Sequence, residues 1–397
     1  MAQRTTTATK CCLKTEAELN FLAGRLYTDL VLNGRTFGTA AAIEDNARKG
    51  MTSFTNIRKA MPDGDASTGI KVDVKYQIPR CEESATDDVT FDCLPAADAK
   101  PDYAYDEFFF TDYVAEEFTM GITPFLTSCE TPSEELAKEL VYRVQSMYAK
   151  YNRKLLTKLE ALAGSTYEGN TATSIAPVPL KLFVENGLGQ AVPQPAAIYD
   201  LIYQFQRMAP NNPMRPVKIA GTKGLGAYQE GRRIFEGNVE GQDASDDAGN
   251  PLSGVYTDWQ MNDILADAPV ANPMISYMPG AVDLVEWFEY DNPDKQLVRN
   301  GRVTWAPVQS DGELVRQKVD VGTPILGRKF EVDLQIYYDK CNNKVTYKMR
   351  KVFDLWHIPQ GAFCAGTTWN YILLWDIVCG PYQCVDILGD PYTPPAP

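Results

Sequence analysis

One uninterrupted helix of about nine turns is the feature that most constrains how this chain folds. Thr131-Pro132-Ser133-Glu134 is a capping box with proline at the first helical position, and Gly164 marks the end. The 32 residues from Pro132 to Ala163 span about 48 Å. Apolar residues recur along them at helical spacing, namely Leu136, Leu140, Val144, Met147, Tyr151, Leu155, Leu159 and Leu162. A helix this long with a single apolar stripe is expected to lie across a sheet or along a neighbouring subunit.

An extended excursion precedes this helix. Ile70, Val72, Val74, Tyr76 and Ile78 alternate with polar residues, which predicts a half-buried strand. Residues 82–118 then contain twelve acidic residues and one base, and alternation resumes over 118–122. The order predicts an outbound strand, a long acidic excursion and a return strand at Phe118, Met120 and Ile122. Excursions of this length are usually functional, and both a solvated loop and a partner-binding loop remain open.

The rest of the chain mixes both kinds of element, which predicts the α+β class. Helical patterns begin at Thr15 and around Ala40 to Lys49, and recur at Pro195 to Ala209. Strand patterns cover Pro216 to Ala220 and part of Met278 to Pro293. A long hairpin is predicted near the end, with two runs of alternating apolar residues on either side of the turn DKCNN: Phe330, Val332, Leu334, Ile336, Tyr338, and Val345, Tyr347, Met349, Phe353, Leu355.

Sequence motifs for catalysis and cofactor binding are not found. His357 is the only histidine and lies in the strand pattern KVFDLWHIP, so we interpret it as a packed strand residue. The loop Gly221-Thr-Lys-Gly224-Leu-Gly226 has neither the phosphate-binding nor the dinucleotide-binding spacing. The nine cysteines show no paired zinc spacing, and the acidic loop 237–250 lacks calcium-ligand spacing. We therefore expect no cofactor, no metal and no enzymatic activity.

The balance of acidic and basic residues limits the kinds of partner that this chain is expected to bind. The chain has 38 basic and 52 acidic residues and a formal net charge of −14, which argues against an ordinary nucleic-acid binder. No uninterrupted apolar run is long enough to cross a membrane, and the N-terminal segment shows no secretory signal, so free thiols in a reducing cytosol are expected.

The order of elements resembles the major capsid protein of tailed bacteriophages, which has the Hong Kong 97-like fold. The segment ISYMPGAVDLVEWFEYDNP and the hairpin KFEVDLQIYYDK…TYKMRKVFDLWHI are similar to strands of that family. The resemblance implies five regions in chain order: an N-terminal arm (1–62), an E-loop (63–123), the spine helix with part of the P-domain (124–190), an A-domain (191–320), and P-domain strands with a C-terminal segment (321–397).

The resemblance further implies a structural protein that self-assembles into hexamers and pentamers of an icosahedral shell around double-stranded DNA. Its expected location is the virion, after assembly in the host cytoplasm. Expected partners are further copies of the chain and portal, scaffolding and decoration proteins, with weak non-specific contact to DNA and none to a membrane. The alternatives are an encapsulin-like compartment, another virion shell protein, and a soluble α/β enzyme.

Two sets of charged residues are candidates for contacts between subunits. The acidic set lies in the excursion and comprises Asp87, Asp88, Asp106 and Glu107. The basic set lies in the far half of the long helix and comprises Lys150, Arg153, Lys154 and Lys158. Complementary patches repeated around a shell fix the docking register. A third set, Arg4, Lys10 and Lys14, is basic without acids and predicts an arm that faces the interior.

Overall fold

The structure is a computed structural model. It describes residues 38–48, 55–56, 71–77, 103–121, 131–163, 178–181, 183–185, 187–188, 191–193, 217–221, 255–258, 260–261, 272–277, 281–289, 315–322, 329–339, 342, 344–357 and 372–378. These residues belong to two compact units. The first unit takes its described residues from 111–151 and 286–354, and the second from 36–110, 152–285 and 355–397.

The described residues contain two helices and fifteen strands. The helices are α1 (Gly38–Arg48) and α2 (Thr131–Leu162). The strands are β1 (Thr55–Asn56), β2 (Lys71–Gln77), β3 (Tyr103–Phe109), β4 (Asp112–Gly121), β5 (Val178–Lys181), β6 (Phe183–Glu185), β7 (Ala191–Pro193), β8 (Val217–Ala220), β9 (Val255–Thr257), β10 (Pro273–Tyr277), β11 (Val282–Trp287), β12 (Val315–Asp320), β13 (Glu331–Asp339), β14 (Lys344–His357) and β15 (Ile372–Val378).

The first unit is built around β14, the longest strand. The sheet order is β11-β14-β13-β12, and β4 also pairs with β14. The β13–β14 ladder runs antiparallel from Asp333↔Arg350 to Asp339↔Lys344, and β4 pairs antiparallel with β14 from Lys344↔Gly121 to Phe353↔Asp112. From Lys344 to Phe353, successive residues of β14 therefore alternate between a buried face and a more exposed face, and the next three residues are all buried.

Aromatic rings connect the part of α2 that lies in this unit to the buried face of the sheet. The ring of Tyr148 lies edge-on to Phe330 at 5.1 Å, and that of Tyr151 lies edge-on to Phe353 at 4.6 Å. Both tyrosines and both phenylalanines are at most 2% exposed. Edge-to-face pairs of this kind stabilise a core beyond the area that they bury.

The second unit contains a five-stranded sheet of order β5-β15-β10-β8-β9. β10 pairs antiparallel with both β15 and β8, whereas β15–β5 and β8–β9 are parallel. Every residue of β10 is buried, as expected for the central strand of a covered sheet. α1 packs against β8 and β9. The same unit contains a three-stranded sheet of order β1-β2-β3 and the two-stranded ladder β6–β7.

Most of the expected elements that fall on described residues are confirmed. α2 is 32 residues long, as predicted from its caps and stripe, and the stripe residues Leu140, Val144, Met147, Leu155 and Leu159 are buried. The terminal hairpin is the β13–β14 ladder, and His357 ends β14. α1, β8 and β11 match the weaker helical pattern and the two strand patterns. The α+β class is confirmed.

The predicted strand at Phe118 and Met120 is confirmed, but it is not the partner of the outbound strand. β2 pairs with β3, from Lys71↔Phe109 to Gln77↔Tyr103, and the segment around Phe118 and Met120 is part of β4, which pairs with β14. The physical reason is that alternation fixes which side chains share a face but not which strand lies alongside. The Phe118 ring stacks on Tyr347 of β14 at a centroid distance of 4.8 Å, so that its partner lies 229 residues further along the chain.

Several expectations lie outside the described residues. These are the helix from Thr15, the helix Pro195 to Ala209, the loop 237–250, the acidic segment between β2 and β3, and the proline-rich end. The division into five regions stays a prediction. In the predicted arm, the described part is α1, whose residues Thr39, Ala40 and Ile43 are at most 2% exposed within the second unit.

Candidate interaction surfaces

The outer face of β3 carries exposed aromatic side chains. Side chains two residues apart on a strand share a face, so Tyr105, Glu107 and Phe109 lie together. Tyr105 is 72% exposed and Phe109 is 49% exposed. Among the described residues of the second unit, only these two and Leu188 are large apolar side chains with such exposure. Among the described residues of the unit, this face of the β2–β3 ladder therefore carries both exposed aromatic side chains.

The opposite face of the same ladder is packed against the rest of the second unit. Val74 on β2 is completely buried, and Ala104 and Asp106 on β3 are half-buried. Asp106 Oδ2 accepts a hydrogen bond of 2.9 Å from the indole Nε1–H of Trp356, and Asp106 Oδ1 accepts one of 2.9 Å from the backbone N–H of Glu107. The ladder thus has one attached face and one face directed to solvent.

A cluster of charges around Glu116 lies in the first unit. Glu116 Oε1 is 2.8 Å from Lys150 Nζ, and Glu116 Oε2 is 3.4 Å from Arg143 Nη1. Ser146 Oγ donates a hydrogen bond of 3.3 Å to Glu116 Oε1. The three donors share one face of α2 because they are three, four and seven residues apart. β4 is thereby fixed to α2 through a single carboxylate.

The pKa of Glu116 reflects this arrangement. Burial by itself raises the pKa of the carboxyl, but the hydrogen bond and charge of Lys150, with hydrogen bonds from Arg143 and Ser146, outweigh burial and hold it below its ordinary value. The glutamate is therefore ionised at neutral pH. Its side chain is 10% exposed, whereas that of Lys150 is 59% exposed, so solvent screens the ion pair from the lysine side.

The charged residues predicted as contact candidates have different surroundings. Lys150 pairs with Glu116, which is one of the twelve acidic residues of 82–118 but was not among the predicted contact candidates. Asp106 contacts Trp356, and Glu107 and Arg153 are exposed. Lys154 and Lys158 are half-buried on α2. The other five candidates, Asp87, Asp88, Arg4, Lys10 and Lys14, lie outside the described residues.

Sequence reasoning missed the residues that distinguish these surfaces. Tyr105 and Phe109 alternate with Asp106 in the run YAYDEFFF, a strand signal that the surrounding acids obscured. Glu116 looked like one more acid of a solvated loop. Its role is visible only when β4 and α2 are placed together, because no spacing rule connects residues 116 and 150.

A buried polar cluster in the second unit fixes the start of α1. The carboxylate of Asp258, completely buried, accepts hydrogen bonds from Thr39 N at 3.1 Å, Thr39 Oγ1 at 2.6 Å and Asn152 Nδ2 at 2.8 Å. Asn152 Oδ1 accepts the Ala40 amide at 2.8 Å. The first backbone amides of a helix have no hydrogen-bond acceptor within the helix. Here the side chains of residues distant in sequence accept hydrogen bonds from two of them. A Cβ on Gly38 would lie 2.1 Å from the Thr257 carbonyl oxygen, so the approach requires glycine.

A buried lysine lies in the core of the first unit. The side chain of Lys351 is 2% exposed and forms an ion pair with Glu286. Its Nζ lies 5.0 Å from the ring centroid of Phe330 and 5.4 Å from those of Tyr151 and Phe288, and donates a hydrogen bond of 3.2 Å to the Glu331 carbonyl. The aromatic faces and the carboxylate together stabilise a charge that the core would otherwise exclude.

The charged groups of these clusters pair with one another and do not converge on an open reaction site. No group of three or more His, Cys, Asp or Glu in the described part of the chain is arranged to hold a metal ion. A groove of about 310 Å³ in the first unit is lined by residues of β4, β13 and β14, including Glu117, Lys348 and Arg350. Lys348 and Glu117 pair with each other at 3.1 Å. Neither described helix is long and apolar enough to cross a membrane.

Comparison with known proteins gives structural neighbours only. No protein-family model matches the chain, and no curated protein matches it. A chain of the cyanophage A-1(L) capsid asymmetric unit is 10% identical, with a TM-score of 0.44 over 88% of this chain and 96% of that chain. A chain of the bacteriophage PhiM1 mature capsid asymmetric unit is 10% identical, with a TM-score of 0.36 over 81% and 92%. A chain of the Ralstonia phage GP4 capsid is 14% identical, with a TM-score of 0.35 over 76% and 82%. All three neighbours are chains of phage capsids.

Proposed function

We propose that this chain is a structural shell subunit, the major capsid protein of a tailed bacteriophage. Copies of it form the hexamers and pentamers of an icosahedral shell that encloses double-stranded DNA, without turnover chemistry. The geometry that supports this proposal is a β2–β3 ladder attached through one face and exposing aromatic rings on the other. A long helix packed against the β14 sheet gives the first unit its core, and the exposed ladder offers a surface for a neighbour.

The observation that carries the proposal is the exposure of Tyr105 and Phe109. Tyrosine and phenylalanine are among the residues enriched at the centre of protein–protein interfaces. An extended ladder with such a face is stabilised when another copy covers the rings, because burying apolar surface contributes about 25 cal/mol per Å². In a closed shell every copy provides this face and receives that of a neighbour.

Assembly of the purified protein tests the function. We expect large closed particles or capsomers in size-exclusion chromatography with light scattering, and shells in negative-stain images. A stable monomer with a saturable enzymatic activity would contradict the proposal and favour the α/β enzyme. Particles that enclose a protein cargo instead of DNA would favour an encapsulin-like compartment.

Substitution of the exposed rings tests the surface itself. We expect Tyr105→Ser with Phe109→Ser to reduce shell yield at least tenfold while the circular dichroism spectrum stays unchanged. Tyr337→Ser is the matched control, since Tyr337 is 44% exposed on β13 in the first unit. If shells assemble normally without the two rings, or if the control abolishes them equally, the β3 face is not the contact.

We further propose that the acidic segment between β2 and β3 lies near the basic half of α2 of another copy. The proposal is supported by the opposite charges of the two segments, and the Glu116–Lys150 pair within one chain is an example of a base of α2 bound by an acid of residues 82–118. The test is Lys154→Glu with Lys158→Glu, which we expect to impair assembly, and the added reversal of Asp87 and Asp88 to lysine, which we expect to restore part of it. Unimpaired assembly of the helix variant at low salt would overturn the pairing.

Contact with the packaged DNA is proposed to be weak and non-specific, since the formal net charge is −14. The arm residues Arg4, Lys10 and Lys14 are its proposed site, facing the shell interior. Portal, scaffolding and decoration proteins are the further proposed partners, and the host cytoplasm is the proposed place of assembly. Filter binding at physiological salt checks the DNA contact, and nanomolar sequence-specific affinity would contradict it.

A further inference from the structure

Described contacts attach the β2–β3 ladder to the rest of its unit through one face. β3 is an edge strand of its sheet, which has the order β1-β2-β3. Its solvent face leaves Tyr105, Glu107 and Phe109 exposed. On the attached face, Val74 supplies apolar contact and Asp106 supplies the hydrogen bond to Trp356, which is 250 residues away in sequence.

Both partners of that hydrogen bond are held in place by their own surroundings. Trp356 is 2% exposed at the end of β14, so its indole cannot turn away without opening a cavity. Asp106 uses its second oxygen to accept the Glu107 amide, which orients the carboxylate. The indole N–H therefore meets an oriented anion, and a hydrogen bond with an ionised partner is roughly twice as strong as a neutral one.

The chain just beyond β3 is fixed by a separate contact within the first unit. Asp354 Oδ2 accepts hydrogen bonds of 3.0 Å from both the backbone N–H and the hydroxyl of Thr111. This contact does not involve Asp106 or Trp356. Loss of the Asp106–Trp356 bond is thus expected to leave the Thr111–Asp354 contact in place and to affect the ladder before it.

We propose that the Trp356–Asp106 hydrogen bond is a latch that holds the β2–β3 ladder against the rest of the second unit. Opening this bond frees the ladder while the rest of the unit stays folded. Trp356 and Asp106 are positioning residues in this device. The inference concerns the conformation of the single chain, and it holds whether or not the chain forms shells.

Hydrogen exchange of the full-length protein, compared in one assembly state, tests the latch. In Asp106→Ala we expect amides of residues 71–77 and 103–109 to exchange about tenfold faster or more. Residues 372–378, in the central sheet of the same unit, should exchange at the wild-type rate. The control is Arg153→Ala, which removes an exposed charged side chain elsewhere in the same unit and should leave both sets unchanged.

Two further variants separate a latch from simple loss of packing. Asp106→Asn retains an acceptor oxygen and should restore exchange part of the way to the wild-type rate. Trp356→Phe removes the donor, and the double variant Trp356→Phe with Asp106→Ala should exchange no faster than the faster single variant, since both remove one bond. If Trp356→Phe does not fold, Asp106→Ala and Asp106→Asn decide alone. Unchanged exchange in Asp106→Ala, no rescue by asparagine, or equal acceleration of 372–378 would overturn the proposal.

Discussion

The β13–β14 ladder and the β2–β3 ladder have the same construction and different surfaces. Each is an antiparallel ladder of seven residue pairs. β14 directs Tyr347 and Phe353 into a core and Lys348 and Arg350 toward the polar side. β3 instead directs Tyr105 and Phe109 outward and Asp106 toward its own unit. The first ladder has its apolar face covered within the chain, whereas the second leaves Tyr105 and Phe109 exposed among the described residues.

The largest expected effect comes from removing one tyrosine of each ladder. Tyr347→Ala should lower the free energy of unfolding by about 3–5 kcal/mol, because it deletes a buried ring stacked on Phe118. Tyr105→Ala should change it by no more than about 0.5 kcal/mol and act instead on association. Urea denaturation of both variants measures the difference. Equal losses of stability would show that the β3 face is covered within the chain.

Burial also raises the pKa of the Tyr347 hydroxyl above its ordinary value, since a phenolate would lose its hydration. The phenol of Tyr347 should therefore resist ionisation when the folded protein is titrated with base, as followed by ultraviolet difference spectroscopy. Tyr347→Phe supplies the control spectrum. A Tyr347 signal that appears at the pH of an ordinary tyrosine would show that this side of the sheet admits water.

A smaller effect is expected from the ion pairs on the two sides of the β14 sheet. Glu286→Ala leaves the ammonium of Lys351 buried without its carboxylate and should cost about 3 kcal/mol. Lys351→Met should cost less, because the remaining Glu286 side chain is 24% exposed and can be hydrated. Glu117→Ala, which breaks the exposed pair with Lys348, should cost no more than about 1 kcal/mol. The reverse order of the two core variants would contradict a charge stabilised by its carboxylate.

The smallest effect is the pH dependence due to Glu116. Its pKa in the folded state is lower than in the unfolded state, so its contribution to stability is present above the ordinary value of 4.5 and is lost as the pH falls through the folded-state pKa. Glu116→Gln should therefore flatten the acid side of the stability curve by less than about 1 kcal/mol, since Lys150 is largely exposed. Thermal unfolding between neutral and acid pH measures this. If the difference in stability between the wild type and Glu116→Gln grew toward acid pH, the prediction would be contradicted.

The sequence pattern was sufficient to predict those elements whose hydrogen bonds or turns join residues close together in the chain. The capping box and apolar stripe predicted α2 to within one residue at each end, because helical hydrogen bonds are local and the stripe needs only some surface to bury it. The β13–β14 hairpin was equally predictable, since a short turn places its two strands side by side.

Partners far apart in sequence were decided by the tertiary structure. Alternation marked residues 118–122 as a strand but could not show that it pairs with β14 rather than β2, because many strands offer the same pattern. The acids of 82–118 read as one solvated run, yet Glu116 contacts α2 and Asp106 contacts Trp356. Lys351 occupies an apparently apolar strand position, and its burial depends on rings and a carboxylate from three separate segments. The sequence by itself therefore determined the long helix, the terminal hairpin and the α+β class. Strand partners and the environment of each charge depend on contacts that form only when distant segments pack.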